Sequence, residues 1–296
     1  MRLANLKSRS RDGFTLIELL IVISILALIA AITASAVFRV NSTQAIKRTE
    51  TSVQKIAGGL SQQWQAVIDD VEDDYKNARI PAVVFTAANN DRDLAKAIWL
   101  KLKLRHEFPQ TVTEATSDVK FNNVVVLPKK QAYIALLAGI VTTSLDQESS
   151  ACLYAALSQT RRGQIFNPDS VGPEIVQSAG KANLFVDGWG KPQPICFQRW
   201  PTSLTPAAQA ELNQVPGDYA KPSTANSVKS IDPGDPFGKL QTWNNTALLD
   251  NALGKPGIGQ NNNFTPYVWA YGADRSPNTS DDILSFRMLR QGQRGN

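Results

Sequence analysis

Three groups of residues in this 296-residue chain have the types and spacing to do chemistry. Glu18 is the sole charge in the 25-residue run Phe14–Phe38. A carboxylate in an apolar helix costs on the order of 2.5–3.5 kcal/mol on insertion scales, less near an end, and marks a functional site by default. Asp274, Asp281 and Asp282 share one turn near the C-terminus. Three carboxylates with free carbonyls suit a hard cation such as calcium, which takes six to eight oxygens. The turn is not an EF-hand, because Thr279 stands where that loop needs glycine and Ser285 where it needs glutamate. Cys152 and Cys196 are the only cysteines. In an exported chain they could close a disulfide worth roughly 4 kcal/mol in the chain-entropy model; two buried free thiols are the other reading.

The remaining inventory argues against an enzyme. His106 is the single histidine and sits in a charged helix end, a structural setting. No CxxC or HExxH spacing occurs, and Gly254-Lys-Pro-Gly-Ile-Gly259 lacks the flanking strand and helix of a phosphate loop. The formal charge of +5 is concentrated at the start, where four basic residues face one acidic in the first thirteen. The other 283 residues carry 27 basic and 25 acidic side chains, too balanced for a nucleic-acid partner.

The sequence Gly13-Phe14-Thr15-Leu16-Ile17-Glu18 closely resembles the processing site of type IV prepilins and pseudopilins. The resemblance implies cleavage between Gly13 and Phe14 by a prepilin peptidase, N-methylation of Phe14, and pairing of Glu18 with the N-terminal amine of a neighbouring subunit. It implies other pilin or pseudopilin subunits and an inner-membrane assembly platform as partners. The chain would cross the bacterial inner membrane once, basic leader inside and head on the periplasmic side, as the excess of positive charge before the span also predicts. Ala27 and Ser35 depart from the glycine and proline of many members and predict a straighter helix. Two alternatives compete: an uncut membrane anchor, and a secreted binding or hydrolytic domain behind a conventional signal peptide cut after Ala36 of Ala34-Ser35-Ala36.

Two further stretches resemble the major pseudopilins of type II secretion. Asp187-Gly-Trp189-Gly-Lys-Pro192 is similar to their Asp-Pro-Trp-Gly-x-Pro turn, which implies that Trp189 plugs the core of the head. Gly272–Ile283 resembles their calcium loop, which implies side-chain ligands Asp274, Asp281 and Asp282 and carbonyls of Tyr271 and Thr279. Arg275 and Asn278 replace glycines there, and Ser280 replaces an aspartate. Fewer charges weaken a calcium site, and Arg275 is a rival internal cation.

The elements that must position these residues follow from periodicity. The expected fold is α+β: a leader over 1–13, a transmembrane half-helix over 14–38, an amphipathic half over 39–80 and a head over 81–296 with a small antiparallel sheet. Ile46, Val53, Leu60 and Val67, with Thr49, Ile56, Trp64 and Val71, form the stripe that carries the head. Gly58-Gly59 predicts a bend, and Asp69, Asp70, Glu72, Asp73 and Asp74 a solvated face. Helices are predicted over 91–107, capped by Asp91, and over 130–140, 149–160, 206–214 and 245–253. Strands are predicted over 123–127, 267–271 and 283–286, and a hairpin over 184–197. Insertions occupy about 81–180 and 200–266.

Overall fold

The structure, a computed structural model, describes residues 16–141, 144–172, 174–200, 235, 237–254, 266–277 and 279–288. The helix predicted over 206–214 lies outside them. The chain forms two compact units, Met1–Gln44 and Ala45–Asn296. Helix α1 (Leu16–Lys76) contributes to both.

In the first unit Leu16–Ala34 has a mean hydropathy of 2.8, and none of it is buried. Its length and composition suit a bilayer. Ser24 and Thr33 turn their hydroxyls back onto the Leu20 and Ile29 carbonyls at 2.8 and 3.0 Å, so neither needs water. The helix passes Ala27 and Ser35 without a break.

In the second unit α1 buries Thr49, Val53, Ile56, Leu60, Trp64, Val67 and Val71, steps of three and four that keep one face inward. Ile46 of the forecast stripe is only half-buried. At Gly58-Gly59 the helix continues, and the glycine has a packing reason. A Cβ on Gly59 would overlap the Phe166 ring, which lies against the helix backbone there. The acidic cluster is not a merely solvated face. Lys103 bridges Asp70 and Asp74 at 2.9 and 2.7 Å, Lys96 pairs with Glu72, Arg162 with Asp73, and the Trp99 indole donates to Asp74 at 3.0 Å. Opposite charges on the helix over Arg92–Glu107 and on a turn around residue 162 use the cluster as a dock.

Short helices α2 (Ala82–Ala87), α3 (Arg92–Glu107) and α4 (Val112–Thr116) follow. Asp91 caps α3 as expected, accepting from the Asp93 and Leu94 amides. Strands β1 (Val119–Phe121) and β2 (Val124–Leu127) form a hairpin through Asn122-Asn123, both at positive φ, the backbone that a tight two-residue turn requires. Then come α5 (Gln131–Leu136) and α6 (Leu145–Leu157), the first shorter than predicted and the second starting earlier, at its Ser144 cap. A second two-stranded sheet pairs β3 (Val176–Ala179) with β4 (Ala182–Phe185). A third orders β5 (Cys196–Gln198), β6 (Tyr267–Ala270) and β7 (Ile283–Leu284) antiparallel, with α7 (Lys239–Thr242) and α8 (Thr246–Leu253) between β5 and β6 in sequence. The architecture is α+β, with the sheet content of the described residues in three small pieces.

The hairpin predicted over 184–197 is corrected in its pairing. Val186 and Pro194 bridge, and Asp187 N–H donates to the Gln193 carbonyl at 2.8 Å, so the chain does reverse. Its arms nevertheless leave for different sheets, β4 to β3 and β5 to β6. Trp189 is half-buried and does not plug the core. That role falls to Trp64, which stacks on Phe108 at 5.1 Å between centroids and meets Trp200 edge-on at 6.4 Å.

Candidate functional site

Gly13 and Phe14 lie outside the described residues. Glu18 lies in the first turn of α1 and is exposed on it, where the positive end of the helix dipole favours a carboxylate. Position and polarity suit a charge that another chain's cation could approach.

The C-terminal loop is built by internal hydrogen bonds. The Asp282 carboxylate faces inward and accepts from Gly272 N at 3.2 Å and Thr279 N at 3.0 Å. Asp281 accepts from Asp274 N at 3.1 Å and packs so closely on Gly272 that a Cβ there would overlap its carboxyl group. The Thr279 hydroxyl stands 2.7 Å from Asp281 Oδ1 and 3.3 Å from Asp274 Oδ1. That hydroxyl has one proton to donate, and of its three neighbouring acceptors, Asp281, the Ser276 carbonyl at 3.1 Å and Asp274, Asp281 is the nearest. The hydroxyl also holds the Asp281 carboxyl below its ordinary value, with the Asp274 amide adding to the effect. Among the described residues no three His, Cys, Asp or Glu side chains converge as a metal-binding group. The loop can therefore offer a cation the Asp274–Asp281 pair and backbone oxygens, while Asp282 holds its shape. The Thr279 carbonyl already receives Asp282 N–H at 3.4 Å, and the Tyr271 hydroxyl donates to Asp146.

Arg275, at one of the positions where a glycine was expected, adopts φ 58°, a backbone that disfavours a side chain with a Cβ. Its charge acts on Asp187. Burial raises the Asp187 carboxyl, while the Gln193 and Trp189 amides and then Arg275 pull it back. Asp187 Oδ1 closes the turn by accepting from Trp189 N and Gln193 N, and Gly188 N donates to the Thr49 hydroxyl of α1 at 3.0 Å. The Trp189 turn and the acidic loop, about 80 residues apart in sequence, line one cavity of about 210 Å³ with Ile46 and Glu50 of α1.

The other chemically capable residues are structural. His106 Nε2 is 2.7 Å from the Pro128 carbonyl. Cys152 and Cys196 are separate buried thiols, so the disulfide reading does not hold in this structure. Burial pushes both thiols up, away from the reactive thiolate. Sequence reasoning missed two buried ionic networks. Arg199 is fully buried and holds Glu114 through both carboxylate oxygens at 3.0 Å, with the Phe108 carbonyl at 2.7 Å. Arg161 reaches Glu107, Gln63 and the Tyr133 hydroxyl at 2.7, 2.7 and 2.9 Å, and Lys130 closes on Glu107 at 2.5 Å. The partners are 23 to 98 residues apart, so no local pattern announces them.

Residues 8–34 match the family described as the prokaryotic N-terminal methylation motif. That motif, on an apolar N-terminal helix, fits a type IV pilin or pseudopilin. No curated protein and no solved structure matches the chain.

Proposed function

We propose that this pilin-like chain is a structural subunit of a type II secretion pseudopilus or a related type IV pilus-like filament, and that it is not an enzyme. The observation that carries the reading is the methylation motif on a helix whose lone acidic residue, Glu18, occupies the first turn. In the proposed mechanism a prepilin peptidase cuts after Gly13 and Phe14 is methylated. The apolar helices then leave the inner membrane through an assembly platform and bundle. In the filament the neighbour's N-terminal ammonium compensates the Glu18 carboxylate, because a charge buried among packed helices needs an opposite charge beside it. The heads then lie outside, on the periplasmic side. Support for a secretion-type filament over a pilus comes from the Trp189 turn and the acidic loop, which meet at one cavity against α1. The secreted-domain alternative needs a cut after Ala36, and that peptide lies inside the continuous α1.

Mass spectrometry of the mature chain tests the reading. The expected product begins at methylated Phe14, and a product beginning at Val37 overturns it in favour of a secreted domain. Gly13→Ala should leave the precursor uncut and thirteen residues longer at its N-terminus. A Gly13→Ala chain that still begins at Phe14 shows that the site is misassigned.

Calcium is the proposed ligand of the acidic loop, through Asp274 and Asp281 with backbone oxygens including those of Tyr271 and Thr279. Full-length protein in detergent should melt higher with calcium than with chelator, by the equivalent of ~2.7 kcal/mol at a hundredfold excess over Kd. Asp281→Ala should abolish that response and, because the Thr279 hydroxyl and the Asp274 amide lose their acceptor, lower the metal-free melting temperature as well. A wild-type melting temperature indifferent to calcium would mean that Thr279 and the loop amides suffice to hold these carboxylates.

A further inference from the structure

The β1–β2 hairpin presents an apolar sheet edge. Phe121, on β1, is fully buried, yet Val124 and Val125 on β2 are 50% and 46% exposed. Among the described residues strand β2 pairs only with β1. The register places Phe121 opposite Val124 across a two-residue turn, which makes that the hydrogen-bonded pair. Val125, opposite Lys120, is then in a non-hydrogen-bonded pair, and its N–H and C=O point away from β1 toward the open edge. Such an edge is a template for another strand, and bulges and lysines are the usual devices that restrict what can join it. Both are present: the register shifts between Val119 and Lys120, and Lys120 and Lys129 are exposed on either side of the valines. The two other charged groups at this hairpin are engaged. Asp118 accepts from Lys129 N at 2.8 Å, and Lys130 is paired with Glu107.

These observations favour one kind of occupant. Two copies pairing β2 to β2 antiparallel about Val125 would set Lys129 of each beside the Asn122-Asn123 turn of the other, and the stretch from Val119 to Leu127 has no carboxylate to answer it. An extended segment of a different protein, apolar where it meets Val124 and Val125 and carboxylate-bearing at its flanks, satisfies both the backbone and the lysines. We propose that the β2 edge is a strand-addition site for such an acidic-flanked apolar segment, a contact separate from assembly through α1.

The test uses full-length protein in detergent and two fluorescent peptides, Glu-Glu-Thr-Val-Thr-Val-Thr-Glu-Glu and the same core flanked by lysines. Saturable binding of the acidic peptide, at least tenfold tighter than the lysine version at low salt, is expected. Val125→Pro removes the outward N–H and leaves the pairing of Phe121 with Val124 intact, so binding should fall at least tenfold. Lys129→Glu offers a second route that does not touch the backbone and should narrow the difference between the peptides. Equal binding of both peptides, or binding indifferent to both substitutions, overturns the proposal. So does concentration-dependent self-association that Val125→Pro removes, which would make the occupant a second copy.

Discussion

Glu18→Ala should leave the chain inserted in the membrane and cut after Gly13, yet remove it from the filament. Deleting the carboxylate relieves the insertion cost, which scales of helix insertion put at up to ~2.5–3.5 kcal/mol. Membrane fractionation should therefore find at least as much variant as wild type, and its mature mass should still begin at Phe14. On the proposed mechanism, what is lost is the interaction with the neighbour's ammonium. Removing one partner of a buried charge pair costs ~2–5 kcal/mol, so incorporation into sheared filaments should fall by roughly 30-fold or more. The defect should also be directional. An alanine subunit still carries the methylated amine that a wild-type neighbour's Glu18 can accept, so co-expression with wild type should recover part of its incorporation. An uncut Gly13→Ala chain has no such amine in place and should not be rescued. Wild-type incorporation of Glu18→Ala on its own would eliminate the pairing role.

The readable parts of this chain were those governed by short-range rules. The stripe from Thr49 to Val71 is legible because helical period alone decides which side chains share a face, and the Asp91 cap because it acts on the next three residues. Glu18 is legible because a carboxylate in an apolar run has few explanations. The misreadings concern residues whose neighbours are distant in sequence. Gly59 looked like a bend because Phe166, which occupies its missing side chain, lies more than a hundred residues away. Asp70 and Asp74 looked solvated because Lys103 is contributed by another helix. Trp189 looked like the core plug because the turn around it was recognisable, whereas Trp64 and Trp200, which are buried, have no turn to mark them. The buried arginines were invisible for the same reason.

Those arginines support the second large expectation, that Arg199→Met destabilises the chain by about 3–5 kcal/mol, the usual cost of removing one member of a buried ion pair. Arg199 is completely enclosed, and without it Glu114 keeps, among the described residues, Arg105 at 3.8 Å and the Gln110 amide, with the Phe108 carbonyl left short of a donor. Methionine fills similar volume, so the loss is one of charge and hydrogen bonding rather than of packing. Replacing the pair together, Arg199→Met with Glu114→Leu, should recover much of the loss, because no uncompensated charge then remains inside. The same networks set the acid limit of the fold. Burial by itself would raise Glu114 and Glu107. Arg199 overcomes it at the first, and His106 with Lys130 and Arg161 at the second, so both carboxyls sit below their ordinary range. A depressed carboxyl contributes stability that is fully present above its unfolded value, about 4.3 for glutamate, and is lost as pH falls toward the folded value. Thermal melts of full-length protein in detergent, followed by tryptophan fluorescence, should therefore hold level near neutrality and drop below about pH 4–5. In the Arg199→Met, Glu114→Leu double variant the acid loss should be shallower, since one of the depressed carboxyls of these buried networks is gone. A double variant as unstable as Arg199→Met alone, with an unchanged acid profile, would show that Arg199 acts through packing and not through its charge.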